Sequence, residues 1–316
     1  MINLPASTDP GAFVHPALLY RGHEEYLAGV GGFVRDALAA DEPVMVAVPG
    51  GHLDALRESI GPTSADVTWV DMTQLGRNPG RILASLQDFA DRRADRPARI
   101  VGEPIWPGRS QAEVLEATRH EALINTAFAG RRATVLCPYD ALGLPASVVS
   151  DARRTHPVVM EEGKVLLSPH YTDAASVCAG CDHPLPEPEG AAPRLAYTHG
   201  ELGEVRAQTE GWARGTTLSA ARRGDLVLAV SEAAANSLAH GDGKGSLRLW
   251  STADGTVVAE IRDGGHLADP LAGRHRPALA SANGGRGLWM IHQLCDLVEI
   301  RALDSGLTLR LHMTTS

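Results

Sequence analysis

Short apolar runs rich in β-branched residues alternate with longer stretches of helical period through the first half of the chain. "PVMVAVP" (43–49), "ADVTWVDM" (65–72), "ARIVGEP" (98–104) and "ATVLCPYD" (133–140) predict strands. Between them, "PGRILASLQDFADRRA" (79–94) and "SQAEVLEATRHEALINTAFAG" (110–130) carry apolar residues at helical spacing. The second opens with a capping box, Ser110 followed three residues later by Glu113. Such alternation predicts an α/β domain, a mostly parallel sheet with helices packed on it.

The pattern stops between 182 and 194. "DHPLPEPEGAAPR" holds four prolines and has neither a strand nor a helix period. It predicts a linker or strap between a first domain (1–181) and a second (195–316). In the second, "LGEVRAQTEGWARGTTL" (202–218) and "AARRGDLVLAVSEAAANSLAHG" (220–241) read as helices, the latter stopped by Gly241. "GSLRLWST" (245–252) and "TVVAEIRD" (256–263) read as strands joined through Asp254-Gly255. A glycine-rich loop (264–285) leads to the helix "GRGLWMIHQLC" (285–295), and "DLVEIRA" and "LTLRLHM" close the chain. Helices on one side of an antiparallel or mixed sheet predict an α+β layer.

Composition narrows the function classes. The 316 residues carry a formal charge of −9, which argues against direct binding of a nucleic-acid backbone. No run of about 18 apolar residues occurs, so no membrane span is expected. The start "MINLPASTDP" lacks the basic and apolar regions of a signal peptide. Cys137, Cys178, Cys181 and Cys295 form no disulfide framework, and a cytoplasmic protein is the expectation. Cys178-x-x-Cys181, with His183 nearby, supplies too few ligands for a structural zinc site and reads as an inert or weakly redox-sensitive pair.

The candidate chemistry begins at "AVSEAAANSLAHG" (229–241). Glu232, Asn236 and His240 are spaced four apart, so they follow one face of a helix. Val227, Val230, Ala234 and Leu238 occupy another face, suited to packing on a sheet. An Asn oxygen suits Mg²⁺, and a nearby Glu suits the handling of a nucleophile's proton. An ordinary solvated helix face explains the same three residues equally well. Two later features tilt the balance. Asp263 ends a strand and is followed by Gly264 and Gly265, where a carboxylate can accept from an exocyclic amine and the glycines admit a flat ring. "NGGRGLW" (283–289) is a Gly-rich turn opening a helix, suited to phosphates.

Taken together, residues 195–316 resemble the GHKL ATP-binding sandwich of histidine kinases and gyrase, and most of all the anti-sigma-factor serine kinases of the RsbW and SpoIIAB kind. "AVSEAAANSLAHG" matches their E-x-x-x-N box. The resemblance implies that Asn236 binds Mg²⁺ and Glu232 is the catalytic base. It implies that Asp263 and Gly265 hold adenine, and that Gly285, Arg286, Gly287 and Leu288 lie on the phosphate side with His240 close by. The first glycine box departs from the fuller pattern, with His266-Leu267 after Gly265. The loop 264–285 is expected to be an ATP lid, with Arg274 and Arg276 able to close on phosphates.

The first half, "HPALLYRGHEEYLAGVGGFVRDALAADEPVMVAVP" (15–49), is similar to the start of a MEDS sensory domain, a group that looks like a decayed RecA-type ATPase. "PGGHL" stands where a phosphate-binding loop would need a Lys followed by a hydroxyl. The arrangement resembles RsbA-type anti-sigma regulators. His15, Tyr20, Glu103 and Asp140 are the sensory candidates. Glu103 and Asp140 end predicted parallel strands, where ligands bind, but Glu103-Pro104 and Pro138-Tyr139-Asp140 are also natural strand exits. The expectation is therefore an anti-sigma factor and ATP-dependent Ser/Thr kinase. It would use ATP and Mg²⁺, bind a sigma factor, and phosphorylate a STAS-domain anti-anti-sigma protein. The alternatives are a non-catalytic ATP-binding partner switch and a sensor histidine kinase. The last is disfavoured, because neither His156 nor His199 lies in a heptad-patterned helical hairpin. Whether the chain forms a homodimer is left open.

Overall fold

The computed structural model describes residues 13–277 and 286–315. The chain divides into two compact units, Met1–Cys178 and Ala179–Ser316.

In the first unit, β1 (Pro16–Tyr20), β2 (Val44–Val48), β3 (Val67–Asp71), β4 (Ala98–Gly102), β5 (Ala133–Asp140), β6 (Val158–Glu161) and β7 (Lys164–Leu167) form one sheet in the order β3-β2-β4-β5-β1-β6-β7. All neighbours pair in parallel except β6 and β7. Every residue of β1 and β2 is buried, as expected of strands covered on both faces. The connecting helices are α1 (Gly22–Ala39), α2 (Gly50–Ile60), the short α3 (Met72–Leu75), α4 (Ile82–Asp91), α5 (Gln111–Ala127) and α6 (Ala146–Thr155). The capping box forms as expected: Ser110 Oγ accepts from Glu113 N, and the Glu113 carboxylate accepts from Ser110 N at 2.8 Å. The β6–β7 hairpin is not visible in the apolar pattern. Its turn, Glu162-Gly163, puts both residues at positive φ (51° and 71°), the conformation a two-residue hairpin turn requires.

The second unit begins within α7 (Ala174–Gly180), which spans the boundary. Here β8 (Arg194–Thr198), β9 (Lys244–Ser251), β10 (Val257–Asp263), β11 (Leu297–Leu303) and β12 (Gly306–Met313) form an antiparallel sheet, in the order β11-β12-β10-β9-β8. Helices α8 (Leu202–Ala213), α9 (Ala220–His240) and α10 (Arg286–Leu294) accompany it. Leu226, Val230, Ala234 and Leu238 of α9 share one core with Val257, Ala259 and Ile261 of β10. This is the expected helix-on-sheet layer.

Strand alternation sends Glu260 to the opposite face, where its carboxylate accepts from Arg248 and Arg310 (2.5 and 2.6 Å) and lies 2.7 Å from Arg262 Nε. The Pro-rich segment lies against this polar face. Glu187 pairs with Arg248 and Arg262, Pro186 O accepts from Arg310 Nη2 at 2.8 Å, and Asp182 Oδ1 accepts from Ala302 N at 3.1 Å. The segment is therefore a strap tied to the second unit's own sheet.

Candidate functional site

The second unit's site is built around the end of α9. Ser219 caps its start by accepting from Arg222 N. Its last turn is pressed against the end of β10: a Cβ on Gly241 would stand 2.5 Å from Ser237 O and 3.1 Å from Asp263 Oδ1. Glycine is therefore required where the helix stops. Asp263 Oδ1 accepts from Gly265 N at 2.8 Å, and a Cβ on Gly265 would lie 3.0 Å from His240 O. One carboxylate thus folds the strand end back onto the helix end.

The opposite wall comes from the first turn of α10. A Cβ on Gly287 would lie 3.0 Å from Glu232 Oε2 and 3.2 Å from Asn236 Nδ2. The backbone at Gly287, in the first turn of α10, therefore faces the acid and the amide directly. Glu232 and Asn236 are half-buried, while His240 and Arg286 are exposed. Leu288 is half-buried, packing on the core and under Gly273. Gly285 lies outside the described residues. Glu232, Asn236, His240, Asp263, Gly265 and Gly287 thus come together around α9. One expectation needs correcting. Arg274 is 4% exposed and held within the unit, so it is not a free cation over the site; Arg276 is exposed. The small side of Gly273 lets this part of the loop pack directly on Leu288.

In the first unit, Tyr20 and Glu103 meet at the C-terminal ends of β1 and β4. The Glu103 carboxylate is buried and accepts from Tyr26 Oη (3.2 Å) and, more distantly, from Tyr20 Oη (3.5 Å); His52 Nδ1 lies 2.8 Å from it. Burial holds the Glu103 carboxyl above the usual carboxylate range, against the pull of His52 and the two tyrosines. Burial alone would lower the His52 pKa, but the Glu103 contact raises it. The two side chains therefore form a hydrogen-bonded pair at the C-terminal end of the sheet. His52 is the histidine of "PGGHL", so the position after β2 carries a hydrogen-bonding side chain where an ATPase would have a phosphate loop. Sequence reading missed His52 and Tyr26; the readable signal was the position of "PGGHL" directly after a strand. Asp140 instead serves its turn, with Oδ1 accepting from Leu142 N and Gly143 N at 3.0 Å each. His15 precedes β1, at the far end of that strand from Tyr20, and is buried in a separate cluster.

Residues 14–157 match the family described as MEDS, the methanogen/methylotroph DcmR sensory domain, and residues 195–313 match the histidine kinase-like ATPase domain. The chain joins a MEDS domain to a histidine kinase-like ATPase domain. The ATPase family implies ATP binding. No curated protein matches the chain. A crystal structure of the RsbU and RsbW domains of a Mycobacterium tuberculosis protein is similar at 22% identity over 38% of this chain and 32% of that one, with a TM-score of 0.28. A solved ATPase domain is similar at 11% identity over 51% of this chain and 78% of its own, with a TM-score of 0.33. The chain thus spans about a third of the first of these structures. No helix among the described residues is long and apolar enough to cross a membrane.

Proposed function

We propose that the ATPase domain binds Mg-ATP at α9 and acts as an anti-sigma kinase, regulated by the MEDS domain. The observation that carries the reading is the closeness of Gly287 to Glu232 and Asn236. The side chain that glycine omits leaves a cradle between a helix N-terminus, which favours anions, and a hard oxygen ligand. That donor set fits Mg²⁺ on a phosphate chain. When bound, Mg-ATP supplies the phosphoryl group to be transferred.

The chain's own residues have separable roles. Asn236 presents its amide oxygen as a ligand. Asp263 uses Oδ1 to order Gly265, and in this reading its carboxylate accepts from an adenine amine. Glu232 Oε2 takes the proton from an acceptor hydroxyl of a partner protein. The partners of this reading are a sigma factor, held by the ATPase domain, and a STAS-domain protein that receives the phosphoryl group on Ser or Thr. The Tyr20–Glu103–His52 cluster is the sensory end of the MEDS domain.

Incubation of the full chain with labelled ATP and a cognate STAS protein tests this. Transfer to a Ser or Thr of the STAS protein is expected. Binding of ATP with no transfer would replace the kinase by a partner switch that holds nucleotide without using it.

A further inference from the structure

We propose that the MEDS domain holds a divalent transition-metal ion of the zinc class, bound by His15, Glu121, Cys137 and His156. Four separate parts of the fold bring these residues together: the residue before β1, the middle of α5, strand β5 and the C-cap of α6. All four are buried, and their ligand atoms lie within 4.8 Å of one another. Glu121 Oε2 stands 3.3 Å from His15 Nε2 and 3.0 Å from His156 Nε2, and Cys137 Sγ stands 3.4 Å from His15 Nε2. Tetrahedral zinc, with bonds of roughly 2.0–2.3 Å, places neighbouring ligand atoms roughly 3.3–3.7 Å apart. These three separations match that geometry to within a few tenths of an ångström, and the remaining ones stay within 4.8 Å.

The tautomers point the same way. Asn125 Nδ2 donates to Thr155 O at 2.8 Å, which turns Oδ1 toward His15 Nδ1 at 3.1 Å. His15 Nδ1 must then carry the proton and donate. His156 Nδ1 lies 2.8 Å from Ala152 O, a group that can only accept, so it too carries a proton. In the neutral rings both Nε2 lone pairs therefore face the Glu121 carboxylate. Neither Glu121 oxygen nor His156 Nε2 has a hydrogen bond of good geometry. Three acceptors and a thiol converging in a dry interior call for a cation.

A divalent ion fits the charge as well. One carboxylate, one thiolate and two neutral imidazoles sum with it to zero, which suits a site without water. Binding displaces the Cys137 thiol proton to solvent, with no change of oxidation state. Asn125 and Ala152 fix the ring orientations from outside, the usual support for metal-bound histidines.

The test uses untagged full-length protein without ATP or Mg²⁺. The protein is incubated with zinc chloride and desalted, and its metal is counted by mass spectrometry. About one zinc per chain is expected, and the Cys178→Ser/Cys181→Ser variant should keep it. Cys137→Ser and His156→Ala should each weaken binding at least about tenfold, and Asn125→Ala by roughly 10–100-fold while supplying no ligand. Cobalt added to the Cys178→Ser/Cys181→Ser variant should give a thiolate charge-transfer band, which needs no Cys137 variant to fold. Failure to retain zinc, undiminished zinc in Cys137→Ser and His156→Ala, or a cobalt spectrum without thiolate character would each overturn the proposal.

Discussion

At the scale of single residues, the ATPase site separates binding from chemistry. Asn236 lies on a half-buried helix face, so Asn236→Ala should leave the circular dichroism unchanged while lowering Mg-ATP affinity at least about tenfold, the loss of one metal ligand. Isothermal titration reads this, and unaltered affinity would remove Asn236 from the site. Glu232→Gln is isosteric but cannot take a proton, so it should bind ATP normally and lose phosphoryl transfer. Transfer at the wild-type rate would show that Glu232 is not the base. In the MEDS domain, Glu103→Gln replaces the group that raises the His52 pKa with a neutral amide, while burial continues to lower it. The His52 pKa should fall in the variant, measured by NMR titration, and a value that stays put would show that Glu103 does not raise it.

At the scale of elements, the two apolar periods made most of the architecture legible. Strands β2 to β5, helices α4, α5 and α9 and the β9–β10 hairpin fall where the pattern places them, because each buries a regular face. The β6–β7 hairpin escaped because its short strands are set by a left-handed Glu162-Gly163 turn. The E-x-x-x-N helix and the strand-ending Asp263 were readable because their spacing is local. The cluster of Glu121, Cys137 and His156 with His15 was not, since it is assembled only when four distant segments close on one another. The polar face of the second sheet was equally hidden. Burial alone would raise the Glu260 pKa, but Arg310 and Arg248 outweigh it and hold the carboxyl low; His312 does the same for Glu299 against its burial. A carboxylate whose folded pKa lies below its unfolded value of about 4.3 contributes stability above that pH, lost as pH falls through the folded value. Acid should therefore destabilise the ATPase domain below about pH 4. Glu260→Gln leaves Arg248 and Arg310, both under a tenth exposed, without their buried partner. A loss of about 3 kcal/mol is expected, with a weaker acid dependence. Denaturant titration at neutral and acid pH checks both, and an unchanged acid profile would show that this carboxylate is not the titrating group.

At the scale of the whole molecule, each unit has its own sheet and core, and the strap belongs to the second. Glu187, Pro186 and Asp182 bind Arg248, Arg262, Arg310 and the backbone of Ala302, so a cut at the composition change would strip contacts from the ATPase domain. A fragment of residues 179–316 should fold and bind ATP. A fragment of 195–316 keeps Glu232, Asn236, Asp263 and Gly287 and should also bind, but should unfold at a lower temperature because buried arginines lose partners. A fragment of 1–178 should not bind ATP. After β2 it offers Gly50-Gly51-His52, with no Lys and hydroxyl pair, and His52 is directed to Glu103. Isothermal titration and thermal unfolding of the three fragments separate these effects. Equal melting temperatures for the two longer-chain and shorter-chain ATPase fragments would show that the strap adds no stability. Tight ATP binding by 1–178 would mean that the MEDS sheet retains a working nucleotide site, and that His52 moves away from Glu103 to make room for it.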